Sequence, residues 1–146
     1  MTRMEEIDHL IYGLEVRPVD REFMGYVQFV QSKQREEIIA IEIDVNNYLC
    51  SSIRKELLSV IKLLENTDMV LARFTETHVL KNRDEVTDIL TGILKVMKEL
   101  EDSIQKYKNG AEKDFPLSGY LYMFKLKLDL IKYHMDDFLE LLVGLA

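Results

Sequence analysis

The sequence predicts an all-α domain: an antiparallel, four-helix-bundle-like core preceded by an N-terminal extension. Three observations carry this expectation. Apolar residues of the C-terminal half recur at alternating steps of three and four, the spacing of a helix packed nearly parallel to a partner. Only 6 Gly and 2 Pro occur in 146 residues, too few turn formers for a β-sandwich or barrel. Hydrophobic residues make up 47% and charged residues 31%, so the chain can bury a core without a disulfide or metal staple. One domain is expected over 1–146, with 1–35 as the extension and 36–146 as the bundle core.

Taken in chain order, Glu5 to Tyr12 predicts a short helix ending at Gly13, and Asp20 predicts a cap for a helix from Arg21. Residues 25–45 allow two readings. Ile39, Ile41, Ile43 and Val45 alternate with Ala40, Glu42 and Asp44, and Tyr26–Val30 could pair with them as a β-hairpin. Phe23, Val27, Val30, Ile38, Ile41 and Val45 fit helical steps instead, with Gln34 at the missing position. Helix is the preferred reading, because a lone hairpin needs another element to cover it. Val45, Leu49, Ile53, Leu57, Val60 and Leu64 mark a long helix closed by Glu65-Asn66-Thr67-Asp68, and a shorter one is expected over Met69–Leu80.

The last two helices are the clearest. Val86, Ile89, Ile93, Val96 and Leu100 define one, with Ser103 as a polar lapse, Asn82 or Asp84 as its cap and Gly110 at its end. Residues 109–114 read as the loop of a helical hairpin. Beyond Pro116, the seam Leu121, Phe124, Leu128, Ile131, Met135, Phe138, Leu142 and Leu145 spans about three heptads. Leu126, Leu130 and Tyr133 widen that stripe, so this helix should meet more than one neighbour.

The net charge of −7 disfavours non-specific nucleic-acid binding and adsorption to anionic membranes, both of which need Lys and Arg surfaces. No apolar run reaches the ~18 residues of a membrane span. Cys50 is the lone cysteine, so no intrachain disulfide can form; with a charged N-terminus this leads us to expect a cytoplasmic protein.

Three resemblances concern catalysis. His78-Val79-Leu80-Lys81 resembles the His-x-Leu-Lys core of histidine phosphotransfer domains, which are acidic four-helix bundles. That likeness implies His78 as phosphoacceptor and Lys81 as its neutralising partner, but Asn82 stands where those domains carry Gly, and Arg83, Asp84 and Glu85 follow where small residues belong. Arg73 and His78 are similar to the Arg-x4–6-His signature of HEPN ribonucleases, implying His78 for proton transfer and Arg73 for the phosphate. Phe74 occupies the position where a polar residue follows the Arg in that signature. Glu36-Glu37 with Glu85-x-x-Asp88 looks like parts of the carboxylate motifs of MazG-like nucleotide pyrophosphohydrolases, which imply Mg²⁺ held by oxygen ligands. Ala40 replaces a third Glu there.

Among the remaining candidates, Glu5 and Glu6 precede His9 at ion-pair spacing, and Glu6-x-x-His9 is half of a di-iron ligand set without its second copy. His134 suits a seam edge and Cys50 a packing position. No phosphate loop, dinucleotide fingerprint, zinc spacing or nucleophile elbow occurs, so no cofactor is expected. Tyr120, Tyr122 and Met123 cluster at the start of the last helix as candidate interface residues, and wide apolar stripes favour a homodimer. Each catalytic set lacks a member. The expected function is therefore a non-enzymatic binding or regulatory protein that offers a helix face to a protein partner.

Overall fold

Helix α1 (Arg3–Glu15) opens at Thr2, whose side-chain oxygen accepts a hydrogen bond from the Glu5 N–H, and Glu5 and Glu6 lie in its first turn. It runs through Gly13, where the sequence predicts a stop, and ends at Glu15. The computed structural model of the chain describes residues 2–16, 19–48, 53–75, 79–109 and 117–145. Four more helices follow: α2 (Asp20–Tyr48), α3 (Arg54–Leu71), α4 (Arg83–Asn109) and α5 (Leu117–Leu145). No strand occurs among the described residues.

The hairpin alternative for 25–45 is overturned. Helix α2 is continuous over 29 residues, roughly 43 Å, and passes through Arg35 and Glu36 without interruption. The helical phase sorts its β-branched residues: Ile38, Ile41 and Val45 are buried, whereas Ile39 and Ile43 are about half exposed. The helix that Val45 and Leu49 were expected to open begins only at Arg54, and Val45 belongs to α2. Leu49, Cys50, Gly110 and Pro116 lie outside the described residues.

The expected break at Glu65–Asp68 and the short helix over Met69–Leu80 are also corrected. Thr67 is buried and its hydroxyl donates to the Leu63 carbonyl at 2.7 Å, while Asp68 pairs with Arg35 of α2. A polar run satisfied in this way does not end a helix, and α3 continues to Leu71. The chain then turns through Ala72–Phe74. Gln28 of α2 donates to the Phe74 carbonyl and the Phe74 side chain is buried.

Helices α2, α3, α5 and α4 form a closed square. Each touches the next, and neither diagonal pair makes backbone-level contact among the described residues. Gly92 lies against His134 and Glu99 pairs with Lys127, so α4 and α5 run antiparallel. Arg35–Asp68 and Gln28–Phe74 set α2 antiparallel to α3. Arg83 stacks over Phe23 at one end and Lys108 pairs with Asp44 at the other, so α2 and α4 are parallel neighbours. The chain thus crosses a diagonal between α3 and α4. Helix α1, the N-terminal extension, packs antiparallel along α4 and touches α2, with Arg3 at Glu101 and Asp8 at Lys98.

Burial confirms the α5 seam at Phe124, Leu128, Ile131, Met135, Phe138 and Leu142, with Tyr120 opening it in place of Leu121. Ser103, the polar lapse of α4, is buried and donates to the Glu99 carbonyl. Gln34 at the missing position of α2 is fully buried, and neither polar atom of its amide has a partner among the described residues.

Candidate functional site

The polar residues of α2 do not all face water. Gln31, Gln34, Glu37 and Asp44 are buried; Gln31 lies toward α3 beside Asp68 and Leu71, whereas Glu37 and Asp44 lie toward α1 and α4. Opposite them α4 contributes the buried Glu101, and α1 contributes Arg3. The Arg3 guanidinium lies 3.1 Å from Glu101 Oε1 and 3.8 Å from Asp44 Oδ2. Gln105 donates to Glu101 at 3.0 Å, and Lys108 reaches Asp44 at 3.2 Å. One arginine from the extension therefore joins α2 to α4 through two buried carboxylates, which would be costly to leave unpaired.

Glu37 is the exception. It is 6% exposed, and its Oε2 has no hydrogen-bond partner among the described residues. Burial, then the neighbouring Glu101, push its carboxyl up to about 7; Glu6 and Glu36 add to the rise and Arg3 opposes it. Near neutrality this carboxyl is divided between its two protonation states.

Glu37 lines a cavity of about 350 Å³ between α1 and α2, together with Glu6, His9, Leu10, Tyr26, Phe29 and Lys33. Tyr26 forms one wall: its hydroxyl donates to the Leu10 carbonyl at 3.0 Å, and its ring sits 6.0 Å from that of Phe29. Burial raises the Tyr26 phenol above its ordinary value, so it remains a neutral donor. Lys33 pairs with Glu36 at 3.2 Å and holds its Nζ 5.6 Å from the Phe29 ring centre. The sequence-level search passed over Arg3, Asp44 and Glu101. The signal that could have found them is the polar interruption of the α2 apolar stripe at Gln34, Glu37 and Asp44.

The catalytic candidates are placed as follows. His78 lies outside the described residues. Arg73 is exposed in the turn after α3, off the helix predicted for it, and Lys81 is exposed just before α4. Glu36, Glu85 and Asp88 are exposed, and only Glu37 of the carboxylate set is buried. Glu85 and Asp88 occupy the start of α4, whereas Glu37 is level with Glu101, so the two halves stand about 20 Å apart along the axis. No group of metal-ligating side chains converges among the described residues.

The interface candidates divide. Tyr120 is buried edge-on against Tyr107, Met123 is partly buried, and Tyr122 is 64% exposed. Tyr122 begins a ridge that continues through Leu126, Leu130 and Tyr133 at steps of four, four and three, all exposed on the outer face of α5. Asp129, Asp136, Asp137 and Glu140 lie on or beside that face, none with an ion-pair partner among the described residues, and the exposed Lys132 stands between Asp129 and Asp136. The lysines nearest the start of the ridge are engaged, Lys125 with Glu56 and Lys127 with Glu99. No helix among the described residues is long and apolar enough to cross a membrane. No known family model, curated protein or solved structure matches the chain.

Proposed function

We propose that this is a non-enzymatic binding protein of the regulatory or adaptor kind, and that the outer face of α5 receives a basic amphipathic helix of a protein partner. The observation that carries the reading is the ridge Tyr122–Leu126–Leu130–Tyr133 lying open beside Asp129, Asp136, Asp137 and Glu140, which outnumber the single lysine among them, Lys132. Isolated exposed apolar side chains are ordinary, but four in register along one helix form the kind of seam that helix recognition uses. Tyrosine at both ends supplies contact area with a polar tip. Acidic neighbours select a partner whose apolar stripe is flanked by Lys or Arg, and they repel an acidic one.

The test is a calorimetric titration with two designed amphipathic peptides that share one leucine seam, one flanked by lysines and the other by glutamates. Saturable binding of the basic peptide alone, lost in Leu126→Glu and Tyr133→Glu, supports the proposal. Equal binding of both peptides, binding indifferent to those substitutions, or no binding overturns it. Sedimentation of the free chain covers the other occupant: a dimer dissociated by Leu126→Glu would assign the ridge to a second copy of the protein.

A further inference from the structure

The cavity between α1 and α2 presents a different problem from the α5 face: it has a buried acid with no ion-pair partner among the described residues. Buried carboxylates are ordinarily paired or hydrogen-bonded. Here each nearby cation is already committed, Arg3 to Glu101 and Asp44, and Lys33 to Glu36. Glu37 lines the cavity together with Glu6 of α1, and its Oε2 is buried behind that wall without a hydrogen-bond partner among the described residues. The remaining wall includes Leu10 and the rings of Tyr26 and Phe29, and Lys33 already shows a cation resting near the Phe29 ring. Aromatic faces attract cations as well as apolar surface.

We propose that this cavity is a binding site for a small organic cation, an amine with a compact apolar body, whose ammonium group pairs with Glu37 and whose body packs on Leu10, Tyr26 and Phe29. The volume of about 350 Å³ lies at the small end of ligand sites and holds on the order of ten non-hydrogen atoms. Apolar lining with one or two placed polar groups is the usual construction of such a site. The ammonium supplies the donors that Glu37 lacks, and the short body needs no movement of the bundle.

Protons and ligand compete for the same carboxylate. The charged or titratable groups around Glu37 are Arg3, Glu6 and His9 from α1, Tyr26, Lys33 and Glu36 from α2, and Glu101 from α4. Affinity for the amine should rise about tenfold between pH 6 and pH 8 as Glu37 ionises. Comparison with Glu37→Gln separates that contribution from those of the other groups lining the cavity.

The experiment is titration calorimetry of the full chain with phenethylamine and, as the neutral counterpart, 2-phenylethanol. We expect saturable binding of the amine, at least tenfold weaker binding of the alcohol and at least tenfold loss in Glu37→Gln. Phe29→Ala, at a half-exposed position that folding tolerates, should also weaken the amine and gives a readout independent of the Glu37 variant. No saturation by the amine, equal binding of amine and alcohol, or full affinity in Glu37→Gln overturns the proposal.

Discussion

The phenol of Tyr26 lies across Gly13 so closely that a Cβ on the glycine would stand 1.8 Å from the Tyr26 hydroxyl oxygen. Gly13 is therefore an interior residue of α1 kept bare by a side chain of α2, and it is not a terminator. Alanine there should gain about 1 kcal/mol of helix propensity. It must also displace the Tyr26 ring and break the bond to Leu10, at a cost that exceeds the gain. We expect Gly13→Ala to destabilise the protein by about 1–2 kcal/mol in urea unfolding. In a Tyr26→Leu background the same change should become neutral or stabilising, giving a coupling of about 1–3 kcal/mol. Additive effects would show that the two residues do not compete for this space.

Glu37 should make stability fall as pH rises, opposite to a salt-bridged carboxylate. Its folded-state value of about 7 lies above the ordinary 4.5, so between these limits the folded chain holds the proton more firmly than the unfolded chain. The penalty is absent below pH 4.5, grows through the window and is complete above pH 7. Glu37→Gln should match the wild type near pH 4 and exceed it by up to about 3 kcal/mol at pH 8. Denaturant midpoints measured on both proteins across that range decide the matter, and parallel curves would place Glu37 in contact with solvent.

Periodicity disclosed the bundle because each long helix buries one stripe. Phe124 to Leu142 could be read almost residue by residue, and so could Val86 to Leu100. Errors arose where a local signal was outweighed by a distant contact. Gly13 and Glu65–Asp68 look like helix ends, but Tyr26 fills the space beside the first, and Thr67 and Asp68 find partners within the second. The Arg3–Glu101–Asp44 junction was illegible for a related reason: its members come from three helices, and a charged residue in isolation reads as a solvated one. Glu37 was noticed for a carboxylate pattern with Glu85 and Asp88, whereas its neighbours in space are Glu6 and Glu101. Spacing shows which face a residue occupies; what packs against that face depends on how the helices are arranged.

Gly92 offers the converse of Gly13. A Cβ there would meet the His134 ring at 3.5 Å or more, ordinary van der Waals contact, and α4 continues for several turns on either side. Gly92→Ala should stabilise the protein by about 0.5–1 kcal/mol by restricting the unfolded chain and improving helix propensity. Thermal unfolding should register this as a rise of a few degrees. A loss of stability would mean that α4 and α5 approach more closely than this spacing.

Tyr120 and Tyr122, two positions apart on α5, should respond oppositely to truncation. Tyr120 is 4% exposed, with its ring 5.3 Å from that of Tyr107 and 6.0 Å from that of Phe124. Its removal opens a cavity where α4 meets α5, and Tyr120→Ala should cost about 3–4 kcal/mol. Tyr122 stands on the outer ridge with no such neighbours, and Tyr122→Ala should change stability by less than about 0.5 kcal/mol. Binding of the basic amphipathic peptide should invert the order. At a temperature where both variants are folded, Tyr122→Ala should weaken the peptide at least fivefold, and Tyr120→Ala should leave its affinity near that of the wild type. If both variants bind as the wild type does, the docking face lies elsewhere on the bundle. If Tyr120→Ala alone weakens binding, the partner reads the α4–α5 junction and not the outer ridge.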